Sequence, residues 1–122
     1  MKTPTSRPPG FMDHGVDSLM DELLVIRGDF LAGRLHMYIG EPDVRAMNGY
    51  MLGFLAGLGA RGVSDERYPR FKEWLRVIKG EFPPEGWHVK YLRDCNGDHV
   101  RAIKKLLDFA AEFHAMELHA RS

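Results

Sequence analysis

Residues 49–62 read "GYMLGFLAGLGARG", which places five glycines inside an apolar run. Three interpretations compete: a membrane helix with a Gly-x-x-x-Gly face, a phosphate-binding loop in which residues 57–62 spell G-x-G-x-x-G, and a buried core helix. The apolar run covers about 14 residues, whereas a helix that crosses a bilayer needs about 20. A dinucleotide-binding loop follows a strand and opens a helix, and here the glycines follow a helical pattern instead. The stretch therefore predicts a core helix of a helical protein.

The glycines of this helix need an explanation of their own. Gly49, Gly53 and Gly57 are four residues apart, so they share one face of the helix. Each costs about 1 kcal/mol of helix propensity relative to alanine. We expect close approach of a neighbouring helix, or of a bulky side chain such as Trp74 or Trp87, to offset that cost.

The bulk composition is that of an ordinary globular chain. Its 122 residues suit one domain, and 44% of them are hydrophobic while 28% are charged. Seventeen basic and seventeen acidic residues cancel, which argues against a general nucleic-acid binder. A lone Cys95 rules out an internal disulfide and fits a reducing cytosol. We find no secretory signal and no run of eighteen apolar residues, so we expect a cytoplasmic protein without a membrane span.

Capping residues mark where the helices begin. Ser18 is a suitable N-cap for the first helix, and Asp98 for the last. The second helix is predicted to start at Pro42, with Asp43 beside the positive end of its dipole. A third helix follows "VSDERYP" (63–69), with Pro69 in its first turn. Between the first and second helices, "AGRLHMYIG" (32–40) is predicted as a loop or short turn.

Apolar spacing gives the inward faces of the helices. The third helix is predicted to bury Phe71, Trp74, Leu75 and Ile78, and the last helix to bury a stripe comprising Val100, Ile103, Leu107, Ala110, His114 and Leu118. Residues 87–94, "WHVKYLRD", fit a strand or a helical turn, and we favour a short helix because a lone strand leaves backbone groups unpaired. We expect an all-α compact bundle of four to five helices over residues 16–122, preceded by a disordered, flexible tail over residues 1–15.

A catalytic or metal-binding constellation is not evident. The six histidines do not form a His-Glu-x-x-His motif, and one cysteine with scattered histidines lacks the spacing of a zinc site. We therefore predict no metal, no cofactor and no enzymatic activity. Two alternatives stay open: a small ligand-binding or thiol-dependent enzyme domain that uses a groove near Gly53 or the pair Cys95 and His99, and a nucleic-acid-binding or adaptor module with a basic face formed by Arg101, Lys104 and Lys105.

The order of several motifs resembles a family of small bacterial proteins. These motifs are "LHMYIG" (35–40), "NGYMLGFLAGL" (48–58), "RFKEWL" (70–75), "GWHVKYLRD" (86–94) and "GDHVRAIKKLLDFAAEF" (97–113). The family shares a Met-Tyr-(Leu/Ile)-Gly turn, a Phe-x-x-Trp helix and a final helix rich in Phe and Leu. Some of its members look like immunity proteins that neutralise a toxin from neighbouring bacteria. The matching residues are core positions, so the resemblance implies no catalytic residue.

The resemblance implies an immunity or antitoxin-like function. Such a protein binds a cognate toxin domain and covers its active site without chemistry of its own. If the helices run up and down, the loops after the second helix and before the last helix share one end of the bundle. Asp65, Glu66, Asp94 and Asp98 would then form a carboxylate-rich partner-binding surface that complements a basic cleft.

Overall fold

The computed structural model describes residues 18–81 and 86–121, and the predicted tail over residues 1–15 lies outside the described residues. The described chain is all-helical and contains no strand. Its helices are α1 Leu19–Leu31, α2 His36–Ile39, α3 Val44–Ala60, α4 Arg67–Trp74, α5 Trp87–Asp94 and α6 His99–Arg121, and α4 continues as a π-helical segment over Leu75–Lys79. The prediction of an all-α bundle is confirmed, as is the prediction of a helix over residues 87–94.

Helix α6 is the centre of the bundle. It packs mainly against α1 and α5 and also contacts α3 and α4. Its buried side chains include Ile103, Leu107 and Phe113. The predicted inward stripe is wrong at its two ends, because Val100 is 41% and Leu118 is 50% exposed in the terminal turns of α6. No helix in the described ranges combines the length and the apolar composition that crossing a membrane requires.

Side-chain caps fix three helix starts. The Ser18 hydroxyl accepts from the Met20 backbone N–H, and the Asp98 carboxylate accepts from that of Arg101. For α3, the cap is Asp43, which accepts from Arg45 and Ala46, and the helix begins at Val44. The predicted start at Pro42 is therefore two residues early, because Asp43 adopts the extended backbone of an N-cap.

The short helix α2 lies in the stretch predicted as a loop or turn. It brings the number of α-helices in the described residues to six, against the four to five predicted. Asp29, fully buried near the end of α1, holds α2 in place. The Asp29 carboxylate accepts from the Arg34 guanidinium, with Nη2 at 2.7 Å, and from the Tyr38 hydroxyl. The Tyr38 ring in turn packs edge-on against Tyr50 of α3. The Met-Tyr turn therefore ties α1 to α3.

Gly49 and Gly53 of α3 lie on its exposed face, away from the core. The buried face of α3 carries Met47, Met51 and Phe54, whereas Gly49 and Gly53 are exposed. A methyl group placed on either glycine would meet no atom within 4 Å beyond the nearby backbone of α3 itself. The prediction that bulky neighbours press against this face is wrong for Gly49 and Gly53. The apolar side chains four and seven residues apart determine which face of α3 is buried.

The π-helical segment changes the face that α4 would bury. Phe71 and Leu75 are fully buried as predicted, but Ile78 is 65% exposed. A π-helical turn accommodates one extra residue, so side chains within it and after it rotate relative to an uninterrupted α-helix. Val77 and Ile78 consequently face solvent, while the Lys79 ammonium lies 5.3 Å from the centre of the Trp74 ring.

Candidate functional site

The four predicted partner-binding acids lie at opposite ends of α6. The Arg67 guanidinium, two residues after Asp65, donates to Glu117 near the end of α6, at 2.9 Å. Asp94 and Asp98 instead precede His99, the first residue of α6. Between His99 and Glu117 the helix rises about 27 Å. The expectation that all four acids gather at one end is therefore wrong.

The topology explains this separation. The backbone N–H of Val44 donates to His99 Nδ1 at 3.0 Å, so α3 begins beside the start of α6. The 17 residues of α3 then carry the chain to the far end of the bundle. The loop with Asp65 and Glu66 consequently lies at the end opposite the α5–α6 loop.

Asp65 has a structural role that links two helices. One carboxylate oxygen accepts from the Leu19 backbone N–H at 2.7 Å, and the other from the Ser18 hydroxyl at 2.9 Å. The same carboxylate accepts from the backbone N–H groups of Arg67 and Tyr68, at 3.1 and 3.2 Å. It therefore caps the starts of both α1 and α4.

The other three acids differ in the hydrogen bonds that they make within the fold. Asp98 caps α6. Asp94 accepts from Lys90 and Lys105, and these hydrogen bonds, the one from Lys90 foremost, lower the pKa of its carboxyl. Glu66 precedes α4 with an exposed side chain. Glu66 is therefore the predicted acid that a partner could contact at least cost to the fold.

The pair Cys95 and His99 does not line a common pocket. Cys95 is half-buried after α5 and borders a cavity of about 360 Å³ together with Lys105 and Phe109. His99 does not line that cavity, and its Nδ1 accepts the Val44 N–H. This nitrogen is thus used in joining α3 to α6, and it is not available as a base for the thiol.

The basic residues proposed for nucleic-acid contact are partly neutralised. Lys104 pairs with Asp108 at 2.6 Å, and Lys105 pairs with Asp94 at 3.2 Å. Arg101 is exposed on the same helix. Since phosphate binding relies on uncompensated cations, these pairs weaken the basic character of this face. In the described residues, no group of three or more His, Cys, Asp or Glu side chains is arranged to hold a metal ion.

An apolar groove between α4, the π-helical segment and α6 is the candidate site. We call it the α4–α6 groove. Its volume is about 620 Å³ and it is open to solvent. The apolar lining consists of Trp74, Val77, Ile78, Phe113, Met116 and Ala120. Three of these side chains are well exposed: Val77 at 58%, Ile78 at 65% and Met116 at 41%.

The groove has packed aromatic rings at its floor and charged groups at its rim. The rings of Trp74 and Phe113 pack with their centres 5.5 Å apart and form the floor. Glu117 at the rim is held by Arg67, and the Arg70 guanidinium lies 3.7 Å from it. An apolar centre with a charged rim is the usual arrangement of a protein interface.

Sequence reasoning missed this groove. The helical spacing placed Ile78 in the core, and only the π-helical segment turns it outward. One signal was available: Val77 and Met116 are large apolar residues that fall outside the predicted inward stripes. Comparisons with known proteins found no matching protein-family model, no matching curated protein and no matching solved structure.

Proposed function

We propose that this protein is an immunity or antitoxin-like protein, which binds a cognate bacterial toxin domain and occludes its active site without chemistry of its own. The α4–α6 groove is the observation that carries the proposal. Exposed aliphatic side chains clustered beside packed aromatic rings favour a protein partner, because an apolar centre with a polar rim is typical of protein interfaces. The family resemblance supports the same class of function.

The open shape of the groove favours a protein over a small molecule. Pockets for small ligands enclose most of the ligand surface, whereas the walls of this groove face solvent. Binding energy at protein interfaces concentrates in a few central residues. Ile78 is the most exposed large aliphatic residue of the groove lining, and it is the residue on which we expect binding to depend most.

Of the four predicted acids, Glu66 is the one best placed to assist toxin binding at the α4–α6 groove. It immediately precedes α4, whose residues Arg70 and Trp74 line the groove. An exposed carboxylate at an interface rim speeds association with a basic partner more than it strengthens the final complex. Within this proposal, Glu66 steers the toxin towards the groove.

Co-expression with a toxin domain tests the function. The toxin domains to try are those encoded directly upstream of this protein's own reading frame, with growth rescue and the dissociation constant of the purified pair as readouts. We expect rescue by the natural chain and a loss of affinity of about thirtyfold or more in Ile78→Asp. Failure of every adjacent domain to be neutralised or bound would contradict the immunity function.

Val100→Asp is the matched control. Val100 is an exposed aliphatic residue of α6 at the end remote from the groove, so the substitution adds the same charge elsewhere. We expect this variant to bind and to rescue like the natural chain. Equal binding by the two variants would show that the toxin docks on another surface, even if rescue is observed.

A further inference from the structure

Met116 is the methionine of the described chain that solvent reaches most easily. It lies on α6 and is 41% exposed, whereas Met20, Met47 and Met51 are at most 1% exposed and Met37 is half-buried. A dissolved oxidant must touch the thioether sulfur to oxidise it. Among the methionines that the structure describes, Met116 is therefore the one that is oxidised first.

Met116 also lies in the middle of one wall of the α4–α6 groove. The residues that α6 contributes to the groove are Phe113, Met116, Glu117 and Ala120. Their spacing of three, four and seven residues places them on one face of the helix over two turns. Because binding energy concentrates near the centre of an interface, a change of polarity at Met116 acts where partner binding is most sensitive.

Oxidation makes such a change without cutting the chain. The sulfur lone pair attacks one oxygen of a peroxide, and the S–O bond forms as the O–O bond breaks. With hydrogen peroxide, the hydroxide that leaves takes the proton of the transferred oxygen and becomes water, so sulfur loses two electrons and the peroxide gains them. The product is a sulfoxide, which is polar and which sulfoxide reductases convert back to methionine.

The core of the bundle does not include Met116. The last buried residue of α6 in the described chain is Phe113, one turn earlier. A sulfoxide at an exposed position can be hydrated in the free protein, whereas a partner that covers it removes that water. A polar oxygen left without a donor in an apolar contact is costly. Oxidation of Met116 consequently penalises the complex and not the folded chain.

We propose that oxidation of Met116 to the sulfoxide weakens partner binding at the α4–α6 groove, and that reduction restores it. This inference rests on the proposed function, because it requires the toxin to dock on this groove. The aliphatic residues Val77 and Ile78 line the same groove, but they have no sulfur that a peroxide can oxidise. Met116 is therefore the groove residue that makes binding respond to redox conditions.

Peptide mass spectrometry of the full chain, treated with hydrogen peroxide, tests the chemistry without a toxin. We expect Met116 to gain one oxygen at least about tenfold faster than Met47 and Met51, because a buried sulfur is reached only when the structure opens locally. The melting temperature of the chain should stay unchanged while Met116 is converted. Equal rates at the three positions, or unfolding that accompanies oxidation of Met116, would overturn the inference.

The dissociation constant of the toxin pair, measured before and after peroxide treatment of this chain, tests the consequence. We expect oxidation to weaken binding by the natural chain about tenfold and a sulfoxide reductase to restore it. Met116→Leu, whatever its own affinity, should bind equally well before and after treatment. Met37→Leu is the matched control: Met37 does not line the groove, so this variant should keep the tenfold loss. Cys95 is present in both variants, so its oxidation would affect both alike.

The outcomes separate this inference from the function on which it rests. A pair that binds with the same affinity before and after oxidation of Met116 would overturn the inference and leave the immunity function standing. An equal loss of affinity in Met116→Leu and Met37→Leu would overturn it as well, because another residue would then carry the effect. A chain that binds no adjacent toxin domain would contradict the immunity function, and this inference with it.

Discussion

Asp65 shows how one side chain can organise two helices. Its carboxylate accepts from the backbone N–H groups of Leu19 at the start of α1 and of Arg67 at the start of α4. These residues lie 46 and 2 residues from Asp65 in the sequence. The first residues of a helix lack backbone partners for their N–H groups, and a buried N–H without a partner is costly. Asp65 meets that need for both helices and fixes their relative position.

Replacement of Asp65 by alanine should therefore destabilise the protein strongly. We expect Asp65→Ala to lower the free energy of unfolding by about 3 kcal/mol, since two caps are lost at about 1–2 kcal/mol each. Glu66→Ala, a neighbouring exposed acid, should change it by less than about 0.5 kcal/mol. Urea denaturation of both variants measures the difference, and equal stabilities would contradict the double-cap role.

In helix α3 the glycines do not determine which face is buried. Its apolar side chains decide which face enters the core. Gly49 and Gly53 face solvent with open space around them. They therefore carry the propensity cost of glycine without the close packing that would offset it.

Alanine at these positions should stabilise the protein. We expect Gly49→Ala and Gly53→Ala each to raise the free energy of unfolding by about 0.5–1 kcal/mol, because alanine costs less backbone entropy and meets no clash. Gly62→Ala is a control in which we expect the free energy of unfolding to fall. Gly62 has a positive φ of 76°, where a side chain costs about 1–2 kcal/mol.

Thermal and urea unfolding of the three glycine variants give the test. If Gly53→Ala destabilised the protein as much as Gly62→Ala, a tight contact at the α3 glycine face would have to exist. A tight contact there would also leave no space for the ligand-binding groove near Gly53 that the sequence suggested.

At the scale of the whole molecule, aromatic side chains pack around α6. Phe71 and Trp74 of α4 pack against Phe113 of α6, while Tyr68 packs against Phe71 and Tyr91 of α5 packs against Phe109. Burial raises the pKa of Tyr68 to about 12, with a smaller contribution from the charge of Asp65. Burial also raises the pKa of Tyr91. The fold therefore requires these phenols to stay neutral.

Stability should consequently fall at alkaline pH. Above pH 10 the unfolded chain releases the Tyr68 proton, whereas the folded chain keeps it until about pH 12, so the unfolded state gains stability across this window. A shift of this size is worth about 3 kcal/mol. We expect the contribution of Tyr68 to the free energy of unfolding to be constant below pH 10 and to decrease between pH 10 and 12.

Tyr68→Phe identifies the group responsible. The variant lacks the phenol, so its unfolding free energy should decrease less steeply between pH 10 and 12, with Tyr91 accounting for part of the remaining slope. Denaturant titrations at a series of pH values measure both slopes. Identical slopes for the natural chain and the variant would show that Tyr68 ionises normally in the folded state.

The sequence alone determined that this protein is a bundle of helices and where α1, α5 and α6 begin. Apolar spacing and the caps Ser18 and Asp98 act within one or two turns, so a local pattern suffices to predict them. Tertiary structure decided which ends meet, which face of α3 is exposed, and how the π-helical segment turns Ile78 into solvent. Those features depend on contacts such as Val44 with His99 and Asp65 with Leu19, which join residues far apart in the chain and leave no local pattern.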